Sequence, residues 1–391
     1  MVDVSNELPR PNTFRVSSSG FSNYAARSDH QHGIDLEMAN YLGNLPNRNY
    51  VDNAAMLVAQ RPMPITGIVG VTSNLMDRWR LVSPPATATS TVNRIADAPA
   101  NTPLDFCQEV LVTTAKAGLA VGDEINLGQT IDSITTSKSL QGKTGATPLI
   151  LSFWVKSNAP GIYTAELFHV PTSTFCSRPY RIEASGVWEK KVVTFVPKTT
   201  GATLPSFSTE FVLQFILAAG TNFTSGTTSI DYQATSANRA VGQTNLYATV
   251  NNYLRITGVQ LEASSAVTPF ELEDYDDTLI KCYRSLRAYG GIHPYQPFSP
   301  VGFFISNSLF YAPLLLPSRM RTTPTLSTVG AIQMLDSANT SPAMTAVSVA
   351  DGDRLGFLIR ADSAATFTLG RSGFIRANND LNARLYLSAE A

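Results

Sequence analysis

The stretch LILSFWVKS (149–157) indicates how this chain of 391 residues folds. Alternate side chains of a β-strand point to opposite faces, so a strand here has two sides of different character. One side carries Leu149, Leu151, Phe153 and Val155. The other side carries Ile150, Ser152, Trp154 and Lys156. An apolar face opposite a mixed face is typical of a strand in a two-layered sandwich.

Four further runs have the same character. They are of strand length, rich in β-branched and aromatic residues, and bounded by Gly, Pro, Ser or Asn. These runs are YTAELFHV (163–170), VWEKKVVTFVP (187–197), EFVLQFILA (210–218) and YLRITGVQLEA (253–263). Because no helical period separates them, parallel βαβ topology is disfavoured. The pattern predicts an all-β chain in which residues 63–275 form an antiparallel jelly-roll sandwich.

The stretch DDTLIKCYRSLRAYGG (276–291) changes this pattern. Asp276 or Asp277 can cap a helix start, and Gly290 and Gly291 are typical of a helix end. Apolar residues fall at helical spacing between them, namely Leu279, Ile280, Tyr283 and Leu286. We therefore predict one connecting helix over 276–291. Short strand-like runs follow it, so residues 292–391 are expected to form a second, smaller β-sandwich domain.

Residues 1–62 are rich in Asn, Ser and Pro and contain one short helical-looking piece, DLEMANYL (35–42). Such a composition predicts an extended arm without a core of its own. An arm of this kind usually ties one protein to another. We interpret residues 1–62 as an anchoring or trimerising segment.

Composition argues against several classes of partner. Lys plus Arg number 29 and Asp plus Glu 30, and no block of like charge occurs, so a nucleic-acid partner is not expected. The most apolar uncharged run, FVLQFILAAG (211–220), is about half the ~20 residues that a spanning helix needs, so no membrane span is expected. Three cysteines without CxxC spacing are expected to be reduced and buried.

Enzyme motifs are incomplete in this sequence. QGKTGAT (141–147) contains the GKT of a phosphate-binding loop, but Ser137 occupies the position of the required earlier glycine. ELEDYDD (271–277) gathers five carboxylates that could hold Ca²⁺ or supply an acid and base, although helix capping explains them more simply. We predict that the protein is not an enzyme.

The three tryptophans admit two interpretations. Trp79, Trp154 and Trp188 could form a platform on which sugars stack. All three lie in or beside apolar strands, where core packing is the usual role. We expect core packing for each.

The stretch SDHQHG (28–33) places two histidines one residue apart. On an extended backbone His30 and His32 point to the same side and form a two-point ligand. Three parallel chains around a threefold axis would supply six imidazole nitrogens, which suits octahedral Fe or Ni better than tetrahedral Zn. In the alternative, Asp29 and His30 make local turn hydrogen bonds and His32 is solvated.

Several stretches resemble, in order, the landmarks of a carbohydrate-binding jelly-roll module found in tailed-bacteriophage fibre and appendage proteins. They are DRWRL (77–81), LSFWVKS (151–157), WEKKVVTF (188–195), ITGVQLEASSAVTPFE (256–271) and LIKCYR (279–284). LLLPSRMRTTPTLS (314–327) resembles a strand of the small β-domain that often follows this module. AARSDHQHG (25–33) resembles a motif near the anchoring or trimerising segment of phage fibres.

The resemblance implies a structural protein of a tailed-phage virion, made in the host bacterial cytoplasm. It would be a homotrimeric short tail fibre that joins other virion proteins of the tail or capsid through residues 1–62. A host-surface glycan is its candidate ligand. In some fibres His-x-His repeats hold iron on the trimer axis, and this assigns His30 and His32 to one Fe or Ni ion per trimer.

Two alternatives stay open at this point. The first is a capsid-decorating fibre or cement protein of the same fold without a receptor role. The second is a glycan-degrading tailspike that uses a carboxylate pair, against which stands the lack of solenoid repeats in the sequence.

Overall fold

A computed structural model gives the architecture of most of the chain. It describes residues 47–69, 72–82, 88–202, 208–339, 341, 344–364 and 366–390. His30 and His32, the predicted metal ligands, lie outside these ranges. Antiparallel strands dominate the described part, so the predicted all-β class is confirmed. No helix in these ranges is long and apolar enough to cross a membrane.

Twelve strands build the first unit of the structure. In chain order they are β1 (Ile65–Ile68), β2 (Thr72–Asn74), β3 (Arg80–Val82), β4 (Thr89–Ile95), β5 (Cys107–Thr114), β6 (Glu124–Asp132), β7 (Leu149–Ser157), β8 (Gly161–His169), β9 (Thr174–Ile182), β10 (Glu189–Phe195), β11 (Thr209–Ala219) and β12 (Tyr253–Ala263). Short helices interrupt them at α1 (Ser133–Thr136), α2 (Thr221–Thr224) and the 3₁₀ turns Ser137–Ser139, Val170–Thr172, Ser236–Asn238 and Leu246–Ala248.

These strands form two sheets of six. The first sheet has the order β1-β4-β5-β12-β7-β10, and the second sheet has the order β2-β3-β6-β11-β8-β9. Neighbours within each sheet are antiparallel. Non-consecutive strands therefore lie side by side, as in the jelly-roll sandwich that the sequence predicts.

The core lies between the two sheets and follows the alternation read from the sequence. Leu149, Leu151, Phe153 and Val155 of β7 are all buried. Phe153 of the first sheet meets Phe215 of the second edge-on, with ring centroids 4.9 Å apart. Fully burying one such ring contributes about 1.5–3 kcal/mol, and the pair geometry adds about 0.5–1.5 kcal/mol. Phe153 thus joins the two layers at the centre of the sandwich.

The described end of the predicted arm packs into this same core. Tyr50, Val51 and Met56 are buried in the sandwich, and the Tyr50 amide donates to the Leu261 carbonyl of β12 at 2.8 Å. The side-chain amide of Asn53 donates to the carbonyl oxygens of Val58 and Asp77. Residues 47–58, although rich in polar residues, belong to the sandwich.

The connecting helix is shorter than the sequence predicts. Helix α3 (Tyr275–Cys282) covers only the first part of the predicted range 276–291, and strand β13 (Leu286–Gly290) follows it. The helical spacing does not produce a longer helix because the backbone of β13 forms its hydrogen bonds with the last strand, β21 (Arg384–Ser388). Gly290, at φ +114°, ends the strand.

The C-terminal strands form a second and smaller β-unit. Between β13 and β21 they are β14 (Gly302–Phe304), β15 (Leu309–Leu315), β16 (Thr325–Val329), β17 (Ile332–Asp336), β18 (Met344–Gly352), β19 (Gly356–Ser363) and β20 (Ser372–Ala377). One sheet has the order β13-β21-β16 and the other β17-β20-β14-β15-β19-β18. Arg284 and Arg321 both reach Asp132 of β6, at 2.7 and 2.8 Å, and tie the two units together.

Candidate functional site

A row of polar side chains crosses four adjacent strands of the first sheet. Register places Asn93 of β4 opposite Glu109 of β5, Glu109 opposite Arg255 of β12, and Arg255 opposite Lys156 of β7. Their chain neighbours are buried in the core, namely Val92, Val110, Leu254 and Val155. Because successive side chains alternate between the faces of a strand, the row lies on the outer face of the sheet.

Arg255 is the centre of this row. Its Nε donates to Glu109 Oε2 at 2.7 Å, and Asn93 donates to the other oxygen of Glu109 at 2.8 Å. A second guanidinium nitrogen donates to Asp97. Hydrogen bonds between charged groups of this kind are short and directional, so the guanidinium is held in one orientation.

Asp97 lies in the connection between β4 and β5 and ties the row to an aromatic ring. It accepts from Trp188 Nε1 at 3.0 Å and from Lys156 Nζ at 2.9 Å, besides Arg255. Arg255 and Lys156 are like charges on opposed positions, which alone would repel, and Asp97 bridges them. Partial burial raises the pKa of the Asp97 carboxyl, but these three donors outweigh it and lower the pKa overall.

Aromatic rings flank the charged row. Lys156 Nζ lies 5.8 Å from the ring centroid of Trp188, and the Arg255 guanidinium carbon lies 4.5 Å from that of Tyr253. Trp154 lies on the same face of β7 as Lys156 and is half-buried, as are Trp188 and Tyr253. We call the face formed by Asn93, Asp97, Glu109, Trp154, Lys156, Trp188, Tyr253 and Arg255 the polar face.

The prediction of core packing for the tryptophans is correct for Trp79 and wrong for the other two. Trp79 is 1% exposed between the sheets. Trp154 and Trp188 are outside the core clusters: Trp154 shares the outward phase of β7 with Lys156, and Trp188 lies immediately before β10 and donates to Asp97. The sugar-stacking interpretation is therefore open for these two rings.

The polar face has the chemistry of a binding surface. It offers amide, ammonium and guanidinium donors and carboxylate acceptors beside ring faces that are apolar. Both carboxylates accept hydrogen bonds from Arg255, and the lowered pKa of Asp97 keeps that carboxyl ionised at neutral pH. Cys107, two residues before Glu109, is buried, and burial raises the pKa of its thiol to about 12, so it is not a nucleophile at neutral pH.

Other groups singled out in the sequence do not converge on this face. Glu271 accepts from the backbone amides of Arg48 and Asn49, and Glu273 binds Lys281 of α3. These carboxylates of ELEDYDD thus hold the chain before the helix. Cys107, Cys176 and Cys282 are buried free thiols, as predicted. Among the described residues, no group of three or more His, Cys, Asp or Glu could hold a metal ion.

The central residues of the polar face were not predicted from the sequence. Arg255 and Glu109 are 146 residues apart, and only strand pairing brings them together. A signal was present in YLRITGVQLEA, where Tyr253 and Arg255 alternate with the apolar Leu254 and Ile256. That alternation says which side chains face outward, but it does not say which strand lies beside them.

No family model matches this chain, and no curated protein matches it. Several solved structures are similar at low identity. The enzymatically active domain of bacteriophage CBA120 tailspike protein 4 is 15% identical over 56% of this chain and 22% of that one, with a TM-score of 0.32. TmCBM61 in complex with β-1,4-galactotriose is 11% identical over 56% and 99%, with a TM-score of 0.28. A putative sugar binding protein from Bacteroides thetaiotaomicron is 13% identical over 55% and 100%, with a TM-score of 0.30.

Proposed function

We propose that this protein binds carbohydrate on the polar face and does not catalyse a reaction there. One observation carries the proposal: the registered row Asn93, Glu109, Arg255 and Lys156. It crosses four strands and is bordered by half-buried tryptophan and tyrosine rings. An extended ligand lying along the row would meet the side chains of Asn93, Arg255 and Lys156 at multiples of the strand spacing of about 4.8 Å, and the buried Glu109 would hold Arg255 in place.

The chemistry of a sugar matches these groups. Its hydroxyls both donate and accept hydrogen bonds, which suits alternating guanidinium and carboxylate groups. Its C–H faces are apolar and pack on aromatic rings that keep a polar edge in water. Because Asp97, Glu109 and Arg255 already hold one another in place, little conformational entropy is lost when a ligand binds.

We further propose, on the sequence resemblance, that the protein is a homotrimeric short tail fibre of a phage virion. The part of residues 1–62 that precedes the sandwich would attach it to other virion proteins, and the β-units would present the polar face to host-surface glycan. Threefold display multiplies weak contacts through effective concentration. The Fe or Ni site at His30 and His32 stays a prediction that accompanies the trimer.

A glycan array probed with the full-length protein tests the binding proposal. We expect the protein to retain a subset of the glycans. The glycan that binds best should bind the Trp188→Ala variant about tenfold more weakly, because the sugar loses a ring to stack on and Asp97 loses the hydrogen bond from Trp188 Nε1. Phe303→Ala removes another exposed aromatic ring, on β14, and is the matched control. Retention that is equal in wild type and Trp188→Ala would contradict the proposal.

Two further measurements test the remaining parts. Incubation with the retained glycan should release no new reducing ends, and release would support the tailspike alternative. Light-scattering mass of the purified full-length chain should give a trimer, and a monomer at micromolar concentration would contradict the fibre. Immunolabelling of virions would separate a tail fibre from a capsid-decorating protein.

A further inference from the structure

A cavity of about 250 Å³ opens between the sandwich and the C-terminal β-unit. Its wall includes three arginines that come from separate parts of the chain. Arg61 precedes β1, Arg94 lies near the end of β4, and Arg384 begins β21. The cavity is distinct from the polar face, because Arg94 faces the opposite way from Asn93 on the same strand.

The arginines of this cavity are held mainly by neutral groups. Arg94 Nε donates to the Met56 carbonyl at 2.9 Å, and its guanidinium lies 3.6 Å from the ring centroid of Phe106. Arg384 Nη1 donates to the carbonyls of Leu381 and Ala383, at 2.7 and 3.0 Å. Carbonyls and rings orient a guanidinium without neutralising its charge.

Within the described part of the chain, carboxylates form an ion pair with one of the three arginines. Arg61 forms an ion pair with Glu390. In the ranges that the structure describes, no carboxylate oxygen lies within 4 Å of the nitrogens of Arg94 or Arg384. The pKa of the Asp380 carboxyl is lowered chiefly because its oxygens accept the backbone amides of Ala331 and Asn382, and the nearby Arg384 lowers it further without an ion pair. The cavity wall therefore carries two positive charges without an ion-paired counter-charge.

Hydrogen bonds of Gln60, another residue of the cavity wall, hold the wall in place. Gln60 donates to Asp77 and to the Leu286 carbonyl, and its side-chain oxygen accepts from the Ala288 amide. It thereby connects the segment before β1 to β13 of the C-terminal unit. Partial burial lowers the pKa of Arg94, and an anion beside it would favour its charged form.

We infer that this cavity binds one oxyanion: a phosphate or sulfate group, or the carboxylate of a single acidic sugar. Two guanidiniums with fixed orientation can each present a pair of N–H donors to such a group. The volume is below the ~300–1,000 Å³ of sites for drug-sized ligands, so it suits one small group. The inference does not depend on the proposed polar-face function, because none of the polar-face residues lines the cavity.

Isothermal titration of the full-length protein with phosphate, sulfate, glucuronate and glucose tests the inference at constant ionic strength. We expect at least one anion to bind and glucose to bind at least tenfold more weakly than that anion. Binding by phosphate or sulfate alone would identify a tetrahedral oxyanion as the ligand, and binding by glucuronate alone would identify a sugar carboxylate.

The double variant Arg94→Gln, Arg384→Gln should weaken binding of that anion at least tenfold. Arg181→Gln, which removes an exposed arginine of β9 that is paired with Glu183, changes the charge in the same sense and should leave binding unchanged. Anion binding that survives the double variant, or that falls equally in Arg181→Gln, would overturn the inference. So would the absence of binding by all three anions.

A second variant protects the test against loss of folding. Arg94→Gln removes the stacking on Phe106, whereas Arg384→Gln removes hydrogen bonds to the carbonyls of two nearby residues and the packing of the guanidinium on Gly291. The single Arg384→Gln variant should therefore melt within a few degrees of the wild type and still lose anion binding. Wild-type anion affinity in this folded variant would also count against the inference.

Discussion

The outer faces of the two sandwich sheets each place one arginine between two carboxylates. On the first sheet Arg255 binds Glu109 and Asp97. On the second sheet Arg239 binds Glu166 and Glu124, each at 2.6 Å. Arg255 is part of strand β12 itself, whereas Arg239 comes from the long connection between β11 and β12. The same set of charges therefore arises from two different kinds of chain segment.

This difference in origin decides which polar groups remain exposed to a ligand on each face. Arg239 is packed between the rings of Phe175 and Phe223, both 5.3 Å away, and Glu166 beneath it is fully buried. Its connection folds down over the sheet and closes that face. Among the residues that the structure describes, Arg255 stacks on Tyr253 alone, and a quarter of Asp97 remains exposed. The buried ion pair of Arg239 and Glu166 is thus a structural tie, whereas Arg255 and Asp97 keep exposed atoms above the buried Glu109.

The largest effect we expect is on the second sheet. Arg239→Leu leaves the buried Glu166 without its counter-charge and should lower the free energy of unfolding by about 3–5 kcal/mol. Urea unfolding of the full-length chain measures this loss. Arg255→Leu is the matched variant and should cost less, because Asp97 keeps Lys156 and Trp188 as partners and the buried Glu109 keeps the hydrogen bond from Asn93. Equal losses would remove the distinction between the two triads.

We expect a smaller effect on glycan affinity, and we expect it for the arginine of the first sheet and not for that of the second. Arg255→Gln should weaken the best array glycan at least about tenfold, or ~1.4 kcal/mol, since it removes the donor at the centre of the row. Arg239→Gln, measured on its folded fraction at the same temperature, should bind that glycan as the wild type does. Weaker binding by both variants would mean that the second face also takes part in recognition.

The smallest effect concerns pH. The pKa of Asp97 is lowered in the folded protein, so its interactions stabilise the fold above its unfolded value of about 3.9. That contribution is lost as the pH falls through the still lower folded pKa. The difference in unfolding free energy between wild type and Asp97→Asn should be constant from pH 7 to about 5 and shrink below about 4. A difference that shrinks instead between pH 7 and 5 would contradict the lowered pKa.

Local patterns in the sequence predicted local features well. The alternation in LILSFWVKS placed Leu149 and Phe153 in the core, and it also placed Trp154 beside Lys156 on the outer side. The expectation that Trp154 and Trp188 pack in the core failed because it followed residue type and ignored this phase. Had the phase been applied to both, the aromatic border of the polar face would have been visible in the sequence.

Features that depend on distant pairing could not be read from the sequence. Leu286 continues the helical spacing of Leu279, Ile280 and Tyr283, yet pairing with β21, almost a hundred residues later in the chain, makes Leu286–Gly290 a strand. The row of the polar face likewise needs the register between β5 and β12. Registers of this kind are set by packing of the whole sandwich and not by any window of residues.

The row that crosses four strands has one more consequence, for the thermodynamics of the whole sandwich. Its residues come from positions 93 to 255, so no single hairpin carries the site, and a ligand that bridges the row binds the closed sandwich and not the unfolded chain. Ligand binding is then coupled to global unfolding, and each tenfold excess of ligand over its dissociation constant stabilises the fold by about a further 1.4 kcal/mol. A rise in melting temperature would therefore report glycan binding without any label.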